Sequence, residues 1–487
     1  MKTKSIFAAA ICLTFTFFSS MGQNLITATN SGNWSDTNIW DSGTVPGTST
    51  NDAVDIPEGI NVTVDTNEMI QFVTDRGTLT MGPNATLNVT GNSATIDSSI
   101  NLVISAPGNT IIYSGNPYNA LSHDYWNLVL ANTNWVGPAN AFVAPWQDFN
   151  NFFSGGASGP TPMTIYGDMT LMGAVKVQEA NVAGVPITID GNLTIGAGCA
   201  WDCSSGDLIV VSNLYLNGFL EDLDGANGSN YVGGDIIISG PSKPNRDFAS
   251  YTNGWYLGDV TTWGVGGNLT NNGVIFGIAY ASIFFNGAGN IAGSNIITIP
   301  TMTIGGTYAI DNTVILTTNN ADFYGTLVFD LANTNQIVLK STPVGPNNQI
   351  TYYAGNLVVV DTRIPPASGK SYNLFNAANY TGTFASETLP NLSAGLSWVD
   401  NLATSGSIAV TGSGGGSPII IPTLNGNLLT LSWDSTNFPG FSVKAQTNNG
   451  GLRPGLPWAP AGSTTNSPFN VTINPANSSV FYRLSNP

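Results

Sequence analysis

Repeatedly this chain opens a short apolar run with glycine followed by asparagine or aspartate. Among these openings are Gly167-Asp168-Met169, Gly191-Asn192-Leu193, Gly206-Asp207-Leu208, Gly234-Asp235-Ile236, Gly267-Asn268-Leu269 and Gly355-Asn356-Leu357. From 167 to 267 they stand 24, 15, 28 and 33 residues apart. Between them lie runs of four to six residues bounded by Gly, Asn or Asp, such as Thr78 to Met81 and Thr86 to Val89. Within Ile60 to Val64, Ile60, Val62 and Val64 share one face, the alternation of a half-buried strand. Runs too short to bury a core alone, repeated at irregular intervals near one coil length, predict a parallel β-solenoid with loops of varying length. Gly and Asn at the openings accept left-handed corner conformations, and stacked Asn side chains can satisfy backbone groups from coil to coil. A pair of β-sandwiches is the rival architecture, since it also gives short strands and Gly-rich turns. The expectation is an all-β, right-handed parallel solenoid of about 14 coils between about residues 50 and 410.

Composition supports strands over helices. The chain holds 56 Gly, is 42% hydrophobic and only 8% charged, with 29 acids against 12 bases. A formal charge of −17 excludes nucleic acid as a partner, since phosphate binding needs clustered Lys and Arg. Lys2 and Lys4 precede an apolar run from Ile6 to Phe18, and Ser20 and Gly22 offer small residues before Gln23. That is the layout of a secretory leader over residues 1–22, and the run is too short to span a bilayer. Ile11 precedes Cys12 where a lipid-anchored cysteine wants a small residue, so export without a lipid anchor is expected. No later stretch reads as a transmembrane segment.

These signals predict a leader (1–22), an N-terminal cap with the first coils (23–115), a β-solenoid (116–411), a Gly/Ser linker (412–421) and a C-terminal β-domain (422–487). Trp433, Phe441, Trp458 and Phe481 are expected to form the core of that last domain. Trp34, Trp40, Val45-Pro46, Asp52, Val54, Ile56, Gly59 and Val62 resemble the opening of secreted β-helix proteins. That resemblance implies a structural cap in which the tryptophans and the Val-Pro turn close the first coil. Residues 125–132 and 371–410 are similar to coils of autotransporter-associated β-strand repeat proteins. The last 60 or so residues look like a β-sandwich-like tail domain common on large secreted bacterial proteins. None of these resemblances brings a catalytic motif.

Chemistry is sparse. One histidine, His123, rules against triads and histidine metal sites, and no phosphate-binding loop occurs. The acids sit at turn positions, where Asp is favoured for local hydrogen bonds, so no catalytic residue is assigned. Asp222, Asp224 and Asn227 around Gly225 form a weak candidate calcium loop that lacks a distal bidentate Glu. No other cofactor is expected. Candidate glycan-binding residues are Trp135, Trp146, Phe149, Lys243, Arg246, Tyr251, Trp255 and Tyr256, read as loop positions where flat rings and cations could meet sugars. The alternative is that these rings cover the core's flank. Cys199 and Cys203 bracket a Trp-Asp pair. An extended chain would hold their Cα atoms roughly 13 Å apart, so the disulfide expected in an oxidising compartment requires a turn between them. The functional expectation is a secreted or cell-surface structural or adhesive protein without catalysis, meeting extracellular glycan or matrix. The alternative is a carbohydrate-active protein, as a binder, lyase or hydrolase.

Overall fold

The computed structural model describes residues 24–485 apart from 50, 92–95, 116–122, 133–149, 152–161, 174, 179–185, 204–206, 223–228, 240–253, 258–260, 278–280, 300, 317–319, 340–348, 353, 363–365, 413–417, 436–437, 439, 449–451, 453–455, 463–465 and 478. Strand after strand carries one burial rhythm. In Thr78–Met81, Thr86–Val89, Thr110–Tyr113 and Asp207–Val210 the second and fourth residues are buried and the first and third half-buried. Period-two alternation turns one face of each strand inward, and parallel register then stacks like on like. The chain is the expected all-β parallel solenoid, with sheets of 14 and 10 strands.

Contacts divide the chain into two compact units, Met1–Asp202 with Asp247–Thr252, and Cys203–Arg246 with Asn253–Pro487. In the first, each full coil visits three sheets in turn, as in Met163–Ile165, Met169–Gly173 and Lys176–Gln178. Inside, Leu128, Met169 and Leu193 stand in one column and Leu130, Leu171 and Ile195 in the next. All six are fully buried. Each such side chain contributes roughly 1.5–3 kcal/mol, so the columns are a main source of stability.

Near the N-terminus of this unit the tryptophans and the turn after Pro46 are tied together. Trp34 and Trp40 are buried and meet edge to face with centroids 5.1 Å apart. Their indole N–H groups donate to the carbonyls of Pro46 (3.0 Å) and Trp34 (2.9 Å). The buried Asp52 carboxylate accepts from the backbone N–H groups of Gly47 (3.0 Å) and Ser49 (3.2 Å), pinning the turn after Pro46.

In the second unit Leu214, Ile236, Leu269, Ile291 and Ile310 continue the same kind of column. Residues 371–410 depart from simple coils. Ser371–Asn373, Ser407–Thr411 and Ser397–Asn401 form an antiparallel sheet, and the short helix Leu402–Ser405 ends on a left-handed Gly406. Tyr352, Phe375 and Phe384 cluster beside them, with centroids 4.6–6.2 Å apart, and the Tyr352 hydroxyl donates to the Leu402 carbonyl at 3.2 Å.

Within the second unit the C-terminal residues form two three-stranded antiparallel sheets, Ile421–Asn425, Leu428–Ser432 and Phe469–Thr472 in one, Ala459–Pro460, Ser442–Thr447 and Val480–Ser485 in the other. Their buried centre is Leu431, Trp433 and Val443, flanked by Phe469, Tyr482 and Leu484. Of the four aromatics expected there only Trp433 is buried; Phe441, Trp458 and Phe481 are half-buried. Strand parity explains this for Phe481. Val443 stands opposite Leu484 and Ala445 opposite Tyr482, which sets Phe481 on the other face. Trp458 lies under the Arg483 guanidinium, 4.5 Å from its ring centre.

Candidate functional site

The Gly-[Asn/Asp] openings build a ladder. In the first unit the N–H of Asp168 donates to Asn127 Oδ1 (2.9 Å), and the N–H and Nδ2 of Asn192 donate to Asp168 Oδ1 (2.7 and 3.1 Å). In the second unit Asp235 N–H donates to Asn213 Oδ1 (2.8 Å), Asn268 to Asp235 Oδ1 through its N–H (2.8 Å) and Nδ2 (2.9 Å), and Asn290 N–H to Asn268 Oδ1 (2.8 Å). Each rung satisfies one backbone donor at the corner of the next coil. The glycines are required by close approach: a Cβ on Gly191 or Gly267 would overlap the backbone of Gly167 or Gly234 one coil earlier. These acids are corner hardware.

Two of the openings named above do not belong to this ladder. Asp207 lies on another sheet, where its carboxylate accepts from Ser229 N–H (2.7 Å). Asn356 pairs with Thr326, and Leu357 with Leu327, out of step with the Asn290 rung. Gly and Asn mark corners in general, so the motif alone does not say which corner.

The sequence-derived site residues fare as follows. Trp135, Trp146, Phe149, Lys243, Arg246 and Tyr251 lie outside the described residues. Trp255 and Tyr256 are not loop residues. They belong to the strand Gly254–Leu257, in which every residue is buried, and Trp255 packs edge to face on Trp263 with centroids 5.0 Å apart. Strand propensity of adjacent aromatics outweighs the loop reading, and neither ring offers an open face. The Trp255 indole N–H has no hydrogen-bond partner among the described residues. Asp222 closes the strand Phe219–Asp222, while Asp224 and Asn227 lie outside the described residues. Among the described residues no cluster of three or more His, Cys, Asp or Glu could hold a metal.

The expected Cys199–Cys203 disulfide is not formed; both are buried thiols. The turn falls at Ala197-Gly198, before the first cysteine, and the strand Ala200–Asp202 runs between the two. An extended strand keeps their Cα atoms roughly 13 Å apart, beyond disulfide reach. Burial pushes the Cys199 thiol up to about 11, so it is not a poised nucleophile.

His123 is half-buried, with Nδ1 2.6 Å from the Asp124 carbonyl and its ring edge-on to Tyr125. Burial first, and then Asp400, hold the Glu387 carboxyl above its usual range, while Asp400 accepts from Leu402 N–H at 2.7 Å.

Exposed aromatic rings appear where the sequence drew no attention. In the second unit Tyr231, Phe284 and Tyr324 are 37%, 41% and 56% exposed. Parallel register sets Tyr231 opposite Gly264 and Gly264 opposite Phe284, on the outward face of one sheet. A Cβ on Gly264 would come 2.7 Å from Tyr231 Cδ2, and one on Gly266 would come 3.0 Å from the Tyr231 hydroxyl. The Tyr231 ring therefore lies down over the glycines of the following coil. The neighbouring outward column is hydroxylic, Ser229, Thr262, Ser282 and Thr301 in register, with the Thr262 and Ser282 hydroxyls 3.3 Å apart.

Fold and corner ladder together define a parallel β-solenoid. Comparison of the chain with family models, curated proteins and solved structures gives no match. Among the described residues, no helix is long and apolar enough to cross a membrane.

Proposed function

We propose that this chain is a secreted or cell-surface β-solenoid whose work is structural or adhesive and not catalytic. The observation that carries the reading is where the polar chemistry is spent. Asp168 and Asp235 are committed to corner rungs, Asp52 to the N-terminal turn and Asp207 to the Ser229 backbone. A carboxylate that holds backbone N–H groups is a poor proton carrier, because reaction would break the corner it holds. Repeated coils with a hydrogen-bonded seam present side chains at regular intervals on an extended surface. The leader-like start of the sequence supports a site of action outside the cell.

The test has two arms. Fractionation of the native host should place the protein outside the cytoplasm, and beads coated with it should adhere to host-derived extracellular matrix. A reducing-sugar or unsaturated-product assay on purified protein should show no turnover of polysaccharide. Turnover above the reagent blank, or cytoplasmic retention, overturns the reading.

A further inference from the structure

From the outward face of the second unit we infer a binding track for a neutral, extended β-linked polysaccharide, lined by Tyr231, Phe284 and Tyr324. The inference rests on the adhesive reading above and names what the surface would hold. Three observations carry it. First, the rings recur at every second coil. Tyr231 lies on Ser229–Val232, Phe284 on Ser282–Phe285, and Tyr324 directly follows Asn320–Phe323. Tyr231 and Phe284 share one register position with Gly264 between them, and the next two coils place Thr303 and Asp322 there, so that Tyr324 stands two residues past that position. At about 4.8 Å per coil Tyr231 and Phe284 lie about 9.6 Å apart along the solenoid, close to the length of one disaccharide in an extended β-linked chain, with Tyr324 flanking the track two coils further on. Alternate sugars in such a chain present the same face, so one ring per disaccharide is the matching pattern.

Second, the floor between the rings is bare. Gly233, Gly264, Gly266 and Gly305 stand where side chains would otherwise fill the track, and Tyr231 lies flat across two of them. A ring pressed against backbone offers its other face to solvent, the presentation needed for the apolar face of a pyranose. Third, the column of Ser229, Thr262, Ser282 and Thr301 runs beside the rings and supplies hydroxyls for the sugar edges. Charge selects among glycans. Asp322 occupies the ring position two coils beyond Phe284, and the chain carries 29 acids against 12 bases, so uronates and sulfated glycans are repelled.

The experiment uses the full chain and defined probes. Cellohexaose and chitohexaose are titrated calorimetrically, with polygalacturonate as the anionic control. At least one neutral hexasaccharide should bind and polygalacturonate should not. Y231A and F284A should each weaken binding at least tenfold, whereas Tyr231→Phe, which keeps the ring, should stay within twofold. Circular dichroism should show all three variants folded; because these side chains are exposed, a folded Y231A that binds unchanged overturns the inference. So does binding of polygalacturonate alone, or of none of the three probes. Matrix adhesion measured on Y231A/F284A separates the two readings: adhesion retained while neutral glycan binding is absent in the wild type leaves the adhesive role standing and removes the track.

Discussion

At the scale of single residues, burial decides chemistry. Cys199 and Cys203 read in sequence as an exported pair awaiting oxidation, yet both are buried and flank an extended strand. The native thiols should therefore resist iodoacetamide at pH 8, and denaturation should expose both to alkylation without prior reduction. One labelled site or none after denaturation would restore the disulfide. The raised thiol pKa also fixes a sign. A Cys199 held up to about 11 from an ordinary 9.0 favours the neutral form in the fold, so its contribution is complete below pH 9 and is lost as pH rises toward 11. A melting temperature that climbs across that window would contradict this. Trp255 and Tyr256 teach the same lesson. Adjacent aromatics after a polar stretch look like a loop, but Gly254–Leu257 pairs with Phe219–Asp222 as a strand, and burial of all four of its residues shows that both faces are covered.

At the scale of elements, the corner ladder and the glycine seam can be tested apart. Asn268 accepts from the exposed Asn290 N–H and donates to Asp235, so Asn268→Ala removes the rung and should cost about 0.5–1.5 kcal/mol, water taking the freed donor. Asp235→Asn keeps an amide oxygen in the accepting position and should cost less than about 1 kcal/mol, read as the shift in urea midpoint at constant slope. Equal losses from the two would mean that the rung is not what matters. The seam is stricter. A Cβ on Gly306 would overlap the carbonyl of Gly287, and one on Gly325 the carbonyl of Gly306. Gly306→Ala should therefore push two coils apart and cost more than Asn268→Ala. A G306A protein with an unchanged midpoint would contradict the close approach.

This is also where legibility in the sequence ends. Gly-Asn openings and period-two runs are local signals, so the solenoid was readable from residues alone. Register is not local. Gly355-Asn356 carries the motif yet sits out of step with the ladder, because loops of unequal length reset the phase before each coil. Tyr231 and Phe284 fall 53 positions apart in the sequence, at outward positions of ordinary strands. Nothing in either segment says that Gly264 lies between them. The ring column exists only once strands are paired.

At the scale of the whole molecule, charge is the remaining lever. With 8% charged residues and 29 acids against 12 bases, carboxylates supply most of the repulsion that keeps molecules apart. That repulsion vanishes near the isoelectric point, ≈ 4.1. Stability follows a different course. Glu68 and Glu387 are raised above the ordinary 4.5, and Asp55 above 3.8, each first by burial and further by neighbouring acids. A raised acid binds its proton more readily in the fold, so each of these adds stability as pH falls through its folded pKa toward the unfolded value. Asp97 has the opposite sign. The Ser99 backbone N–H and hydroxyl hold it below 3.8, and its contribution is lost only as pH falls beneath that value. Between pH 7 and about 4, these four groups therefore do not favour unfolding while net charge falls to zero. The protein should precipitate near pH 4 in its folded form and redissolve on return to pH 7 with an unchanged far-ultraviolet spectrum. Turbidity against pH, paired with circular dichroism of the supernatant and of the redissolved pellet, checks both halves. A β signal lost before turbidity appears would show that acid unfolds the solenoid first.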